Sequence, residues 1–361
     1  MKRIMYISST TRRLGREEVD GIGARSMFNN SRVGVTGILF SAEEFFFQIL
    51  EGEEAAVDAT LERIRRDERH QGLLILKVEP DISERLFPFW SMKTVQLGHS
   101  SDMMIQAIRI MLENITESHR VIERYTQPAV LQFLTEGVNP LAVPLKRSDH
   151  VILFADIVAF SHLSGMFPVE EVADLVNSFL AIASDEIVLQ GGHVNKYVGD
   201  GIMAYFPPDL ADGALAASMA ILEKLQQVRA SAASGQLKHH LYAGLGLTLG
   251  PVIVGNFGSR YKMDYTVLGD SVNLAARVEH LTRSIGRSLA MSEAVKAACK
   301  GPDWPFQEVG RFQLKGQMQW QTIFSLDDPL VRQMKNFEQI ARDLMETSLA
   351  RPGIIEESAG E

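Results

Sequence analysis

The feature that most constrains this chain is one uninterrupted helical stretch, residues 102–125, lying between two stretches that each alternate strand and helix patterns. Such a chain cannot close into one sheet and has to build a separate unit on each side of the helix. On the helix, Met104, Ile108, Met111, Ile115, Ile122 and Tyr125 fall on a heptad-like stripe, broken once by the polar Ser118. Ile105, Leu112 and His119 widen the apolar face beyond a strict coiled-coil seam. The pattern alone therefore leaves open a helix packed on its own domain and a dimer seam that links two domains. Pro128 opens a shorter helix, and Gly137 to Pro144, with Asn139-Pro140, ends it as a linker.

Before the long helix, the spacing predicts strands over 3–8, 35–40, 45–50 and 73–78 and helices over 17–30 and 53–67, with the polar turn Ala42-Glu43-Glu44 between the two middle strands. The order βαββαβ implies a four-stranded sheet with helices on one face, a ferredoxin-like α+β layout. After the helix, a short buried strand over 151–154 precedes a helix over 168–189 that opens with Pro168 and two acids and stops at Gly191-Gly192. A hairpin (193–198, 202–206) turns at Gly199-Asp200-Gly201. A helix over 209–229 follows, then strands over 239–248 and 252–256, again α+β. Residues 327 onward read as a partly helical tail, with 351–361 disordered.

The 361 residues suit such an arrangement, and 46% hydrophobic with 22% charged residues supply an ordinary core to each unit. No apolar run is long enough to span a bilayer. The basic start is followed by too short an apolar run for a signal peptide. With a single cysteine, Cys299, an intrachain disulfide and a cysteine-built zinc site are both excluded, and a cytoplasmic location is expected. The net charge of −9 argues against bulk nucleic-acid binding.

Gln48 is a polar amide inside Phe45-Phe46-Phe47-Gln48-Ile49-Leu50. In a strand it shares a face with Phe46 and Leu50, and a buried amide is costly unless hydrogen-bonded. An exposed edge position would satisfy it equally well. Around it run Tyr6-Ile7-Ser8, Asn29-Asn30, Val35-Thr36-Gly37-Ile38-Leu39, Glu51-Gly52, Asp67-Glu68-Arg69-His70 and Phe87-Pro88-Phe89-Trp90-Ser91-Met92. In that order these segments resemble the BLUF family of flavin-based blue-light sensors, over nearly all of residues 1–97. The resemblance implies a flavin, FMN or FAD, between the two helices with its ring facing Tyr6, Asn30 and Gln48. Tyr6 is then the expected electron and proton donor. Tyr6 and Gln48 each donate and accept, so the pair can exchange one hydrogen-bond pattern for another. Arg69 and His70 would lie toward the flavin phosphate or serve local structure, and Trp90 and Met92 would sit on the last strand near Gln48 as an outward relay.

In the other half, Asp156 ends a buried strand in Phe154-Ala155-Asp156-Ile157-Val158-Ala159-Phe160-Ser161, and Asp200 tips the hairpin in Lys196-Tyr197-Val198-Gly199-Asp200-Gly201. Mg2+ is held by one or two carboxylates together with substrate phosphates. With Asp264-Tyr265-Thr266-Val267-Leu268-Gly269-Asp270-Ser271-Val272-Asn273-Leu274-Ala275-Ala276-Arg277 and Leu314-Lys315-Gly316, these segments resemble the class III nucleotide cyclases over about residues 149–326. The resemblance implies that Asp156 and Asp200 bind two Mg2+ ions, with Mn2+ as an alternative. Ile157, Phe160 and Ser161 would help cradle the triphosphate, Asn273 would orient the ribose, Arg277 would stabilise charge on the α-phosphate, and Lys315 would hold the distal phosphates. Lys196 and Thr266 would read the base. Guanylyl members typically carry glutamate and cysteine there, so ATP is the favoured substrate. Family geometry places the site between two copies, so a homodimer is implied.

The two resemblances in one chain are those of the photoactivated adenylyl cyclases. They divide it into a sensor (1–97), connecting helices that form a dimer coiled coil (98–148), a catalytic domain (149–326) and a tail (327–361). The alternatives are a flavin photoreceptor with a non-catalytic, cyclase-like dimerisation module, and a guanylyl cyclase. Gly244-Leu245-Gly246 lacks the spacing of a phosphate loop.

Overall fold

In the computed structural model, which describes residues 1–42, 45–97, 102–233, 235–301, 303–314, 319–335, 338–340 and 342–343, the chain separates into two units, Met1–Val143 and Pro144–Glu361. The first runs β1 (Lys2–Thr10), α1 (Arg16–Val33), β2 (Thr36–Ser41), β3 (Phe45–Gly52), α2 (Glu54–Arg65), β4 (His70–Glu79), β5 (Lys93–Gln96), α3 (Met103–Tyr125) and α4 (Pro128–Thr135). Its sheet has the order β4-β1-β3-β2-β5, antiparallel except for the β2–β5 pair. Lys93–Gln96 is the strand the sequence pattern lacks. It is four residues of mixed polarity, held by parallel pairing with Ile38–Ser41 rather than by an apolar alternation of its own.

Period-two alternation sorts the strands onto two cores. Ile4, Tyr6, Phe46 and Leu50 face one core with Ile22 of α1 and Val57 and Leu61 of α2. Ile7, Phe45, Phe47 and Leu74 face the other, which α3 covers with Ile105, Ile108 and Leu112, and α4 with Leu134. The two helices of the βαββαβ unit share one face, as the sequence pattern implies, and the helices that follow it, α3 and α4, cover the other. The reason is the widened face of α3. Its flank packs on the sheet, while Met104 (73% exposed), Met111 (66%) and Tyr125 (87%) stand out on the other side with Ile115 and Ile122. Ile108, counted on the stripe, belongs to the packed flank. Burying Leu112 on that flank contributes about 2 kcal/mol.

The second unit runs β6 (Lys146–Ile157), α5 (Phe160–Met166), α6 (Val169–Leu189), β7 (His193–Val198), β8 (Gly201–Phe206), α7 (Ala211–Ser231), β9 (Ala243–Gly258), β10 (Met263–Leu268), α8 (Asp270–Ile285), β11 (Leu289–Ser292), α9 (Glu293–Ala298), β12 (Phe306–Phe312) and β13 (Gln321–Leu326). The sheet order is β12-β13-β11-β9-β6-β8-β7, with β10 paired to β9. β9 is one strand where the sequence suggests two, and His239 lies before it in the single-turn helix Leu237–His240. On its outer side β9 pairs with β11 only at Leu245–Leu247 and with β10 only from Ile253 onward. Pro251, which has no N–H to give, falls in the gap between those neighbours. β6 is longer than the apolar run 151–154, because pairing with β9 from Lys146 to Ile157 carries its polar start. Among the described residues no helix is long and apolar enough to cross a membrane.

Candidate functional sites

In the first unit a cavity of about 240 Å³ opens between α1 and α2 over the sheet. α1 supplies Arg25, Asn29 and Asn30 to its wall, the sheet Leu39, Phe46 and Gln48, and α2 Thr60, Arg63 and Ile64, with Asp67, Arg69 and His70 closing one end. Gln48 is 4% exposed, so its amide is in the interior. Its Oε1 accepts a hydrogen bond from the hydroxyl of Tyr6, which lies directly across the β1–β3 pair. Its Nε2 donates to Met92 Sδ at 3.3 Å. Tyr6 is wholly buried, and burial drives its phenol far above the ordinary range. Asn30 faces the cavity and donates from Nδ2 to Ser91 O at 3.1 Å.

Met92 and Trp90 part company. Met92 is buried against Gln48 just before β5, whereas Trp90 is 43% exposed and stacks on Phe87 with centroids 5.5 Å apart. Neither lies on the last strand, which starts at Lys93. Two residues apart across a turn, they are not held to one face. Arg69 is paired with Asp67, whose carboxyl that contact holds at about 2. The His70 ring takes a 2.7 Å hydrogen bond with Ser8 and packs on Phe46, and burial lowers it to about 4. Arg25 and Arg63 also line the cavity, and no motif marks them; the signal for them is helical spacing, since Arg25 and Asn29 are i, i+4 on α1 and Thr60 and Arg63 are i, i+3 on α2.

In the second unit Asp156, near the end of β6, meets Asp200 at the β7–β8 turn. Gly199 makes that turn at φ +64°, and Gly201 is needed for the approach, since a Cβ there would lie 2.8 Å from Ala155 O and 2.9 Å from Asp156 Oδ1. Burial first, and then the neighbouring Asp156, push the Asp200 carboxyl up to about 7, and its Oδ2 is buried with no hydrogen-bond partner among the described residues. Two carboxylates forced together with an orphaned oxygen are what a divalent cation relieves, so this donor set fits the implied metal. Arg283 donates to Asp156 Oδ2 at 3.1 Å and to Glu279 Oε1 at 2.5 Å. Burial holds Glu279 at about 7. Neither Arg283 nor Glu279 was marked by the motifs. Their i, i+4 spacing on α8 was the only trace of them.

After Asp156 the chain turns sharply. Val158 N–H donates to Tyr242 O at 2.8 Å, and Ala159 takes φ +59°, a left-handed conformation that costs a non-glycine residue about 1 kcal/mol or more. That bend leads directly into α5, whose first turn holds Phe160 and Ser161. Asn273 is exposed and Arg277 half-buried one turn later on α8. Arg277 lies roughly 120° round the helix from Arg283, so the two arginines leave α8 in different directions. Lys196 is on β7 and Thr266, 3% exposed, is on β10. Thr266 and Asn195 are hydrogen-bonded at 2.7 Å, which brings β7 and β10 together at this point. Lys315 lies outside the described residues.

Comparison with known proteins covers both halves. Residues 1–93 match the BLUF family, sensors of blue light using FAD, and residues 143–327 match the adenylate and guanylate cyclase catalytic domain. The structure of a bacterial light-regulated adenylyl cyclase is similar with a TM-score of 0.89 at 40% identity, over 96% of this chain and 99% of that one. A second such structure gives 0.85 at 39%, over the same shares. A photoactivated adenylate cyclase subunit beta of Euglena gracilis is 29% identical over 296 residues, 81% of this chain. This chain spans only 34% of that curated relative's length.

Proposed function

The chain belongs to the light-regulated adenylyl cyclases that join a BLUF sensor to an adenylate and guanylate cyclase catalytic domain, and from that premise we propose that blue light speeds the conversion of ATP to 3′,5′-cyclic AMP and pyrophosphate by a homodimer of this chain. The observation that carries the proposal is the acidic pair, with Asp200 raised to about 7 beside Asp156 and one of its oxygens unpartnered among the described residues. Asp156 and Asp200 would hold Mg2+, which when bound would lower the pKa of the ribose 3′-hydroxyl and neutralise phosphate charge. The 3′-oxygen attacks the α-phosphorus in line as the bond to pyrophosphate breaks. Asn273 orients the ribose, and Arg277 donates to the α-phosphate oxygens as charge develops there. The bend at Ile157–Ser161 and Lys315 hold the remaining phosphates. Lys196 donates to the adenine ring nitrogen, and Thr266 accepts from the 6-amino group.

The divergence of Arg277 from Arg283 on α8 supports a site completed by a second copy. Arg283 reaches the acidic pair of its own chain, and Arg277 serves the pair of the partner. In the sensor, bound FAD supplies the blue-light chromophore. Gln48 on the cavity wall would meet it, and Tyr6, hydrogen-bonded to Gln48, would exchange hydrogen-bond pattern with that amide, which would change what Gln48 offers to Met92. That change passes through the sheet to α3, whose exposed stripe pairs with the partner's. A bias of about 1–3 kcal/mol is enough to alter activity about 5- to 150-fold.

The test is cyclic nucleotide production by the full chain with Mg2+ and ATP, in darkness and under blue light, with GTP in parallel. Light-stimulated cyclic AMP is expected. Absence of any cyclic product in all four conditions from a flavin-loaded sample would end the proposal, and faster turnover of GTP would shift it to a guanylyl cyclase.

A further inference from the structure

Asn195, the residue before Lys196, is 4% exposed and sits at an irregularity in the β7–β8 ladder. Val194 pairs with Ala204 and Lys196 with Met203, so Asn195 is the extra residue of a bulge. Ala204 belongs to one core of the sheet and Met203 to the other. The bulge therefore turns Lys196 to the face opposite Val194, where an unbroken strand would have put the two on the same side.

The Asn195 amide bridges two consecutive residues of β10. Its Nδ2 donates to Tyr265 O at 3.1 Å, and its Oδ1 accepts from the Thr266 hydroxyl at 2.7 Å. A backbone carbonyl can only accept, so Tyr265 fixes which end of the amide faces it. The amide oxygen can also only accept, so it takes the one proton the Thr266 hydroxyl has to give. Thr266 is left with lone pairs alone for anything else that approaches its oxygen.

We propose that Asn195 is a positioning residue that sets base specificity: by holding the Thr266 proton it makes Thr266 a pure acceptor, which admits a purine with a 6-amino group and rejects one with a 6-oxo group. This rests on the assignment of Lys196 and Thr266 as the base-reading pair. A 6-oxo purine meets the threonine oxygen lone pair to lone pair. Without Asn195 the hydroxyl is free to rotate and donate to that oxo group. Sites that leave a buried polar group unpaired against the wrong substrate discriminate strongly.

The experiment compares kcat/KM for ATP and for inosine triphosphate in the illuminated full-length protein, for the wild type and for Asn195→Leu, Asn195→Ser and Thr266→Val. The hypoxanthine N1–H opposes Lys196 in every variant, so changes in the ratio report on the 6-position. The ATP-to-inosine preference is expected to fall about tenfold in the Asn195 variants, mostly through KM, and to fall in Thr266→Val as well. Asn195→Ser stands in if the leucine variant does not fold. If Thr266→Val lowers the preference and the folded Asn195 variants do not, the role of Asn195 is overturned and the base-reading pair survives. If Thr266→Val leaves the preference unchanged, the pair itself is overturned, and the role of Asn195 with it.

Discussion

Asp200 is held as an acid by burial and by Asp156, at about 7 against 3.8 for an unperturbed side chain. The folded, metal-free protein therefore keeps a proton that the unfolded chain releases. Stability contributed by that protonation is present below 3.8 and is lost as pH rises through 7. In a chelator, melting temperature should decline over that window, and Asp200→Asn should flatten the decline and melt a few degrees higher than wild type at pH 8. The same variant should lose about a hundredfold or more of cyclase activity while its flavin absorption band is unchanged. A variant that melted lower than wild type at pH 8 would show that Asp156 does not repel it. Asp156 and Asp200 are legible in the sequence because each sits in a distinctive local segment. Arg283 is not, because its value lies in reaching across 127 positions to Asp156, and no local pattern encodes that distance. Asn195 was hidden for a related reason: a bulge is a property of two strands paired, not of one strand read alone.

At the scale of elements, the segment between β4 and β5 is tied down by one buried carboxylate. Glu51 on β3 is wholly buried, and it accepts from Arg3 Nε at 2.5 Å, from Leu86 N at 3.0 Å and from Phe87 N at 2.9 Å. Arg3 also donates to Glu84 O. Phe87 is the residue on which Trp90 stacks, and Trp90 O accepts from Gly37 N. Glu51→Ala leaves two loop amides and Arg3 Nε without their acceptor, while Arg3 keeps Glu79 and Glu84 O, and should cost about 3 kcal/mol of sensor stability. The check is denaturant unfolding followed by flavin release and by tryptophan emission. A loss below about 0.5 kcal/mol would mean that water replaces the carboxylate without cost. The sequence showed Glu51 only as part of a motif. β5 was unreadable, since a four-residue strand of mixed polarity exists through its partner β2.

Across the whole molecule, α3 has two jobs on two sides. Leu112 and its neighbours join the sensor core, and the stripe of Met104, Met111, Ile115 and Ile122 is exposed. Ile115→Asp places a charge on that stripe without touching either site. It should lower the light-to-dark activity ratio to near one, and it should raise the protein concentration needed for half-maximal specific activity by about tenfold. Activity against dilution, in light and dark, measures both. A variant that kept the wild-type ratio and the wild-type dilution curve would remove α3 from the coupling path. The hydrophobic periods along the chain were enough to determine two α+β units joined by a long helix, and the ordered motifs were enough to mark the acidic pair and the Tyr6–Gln48 pair. Those signals are local, carried by residues a few positions apart. Tertiary structure alone decided that helices cover both faces of the first sheet, that Met92 is buried and Trp90 exposed, that Arg283 and Glu279 lie against the acidic pair, and that Asn195 is hydrogen-bonded to Thr266. Each of these depends on which distant segment fills a neighbouring space or supplies the matching donor, and that is set only when the chain has closed on itself.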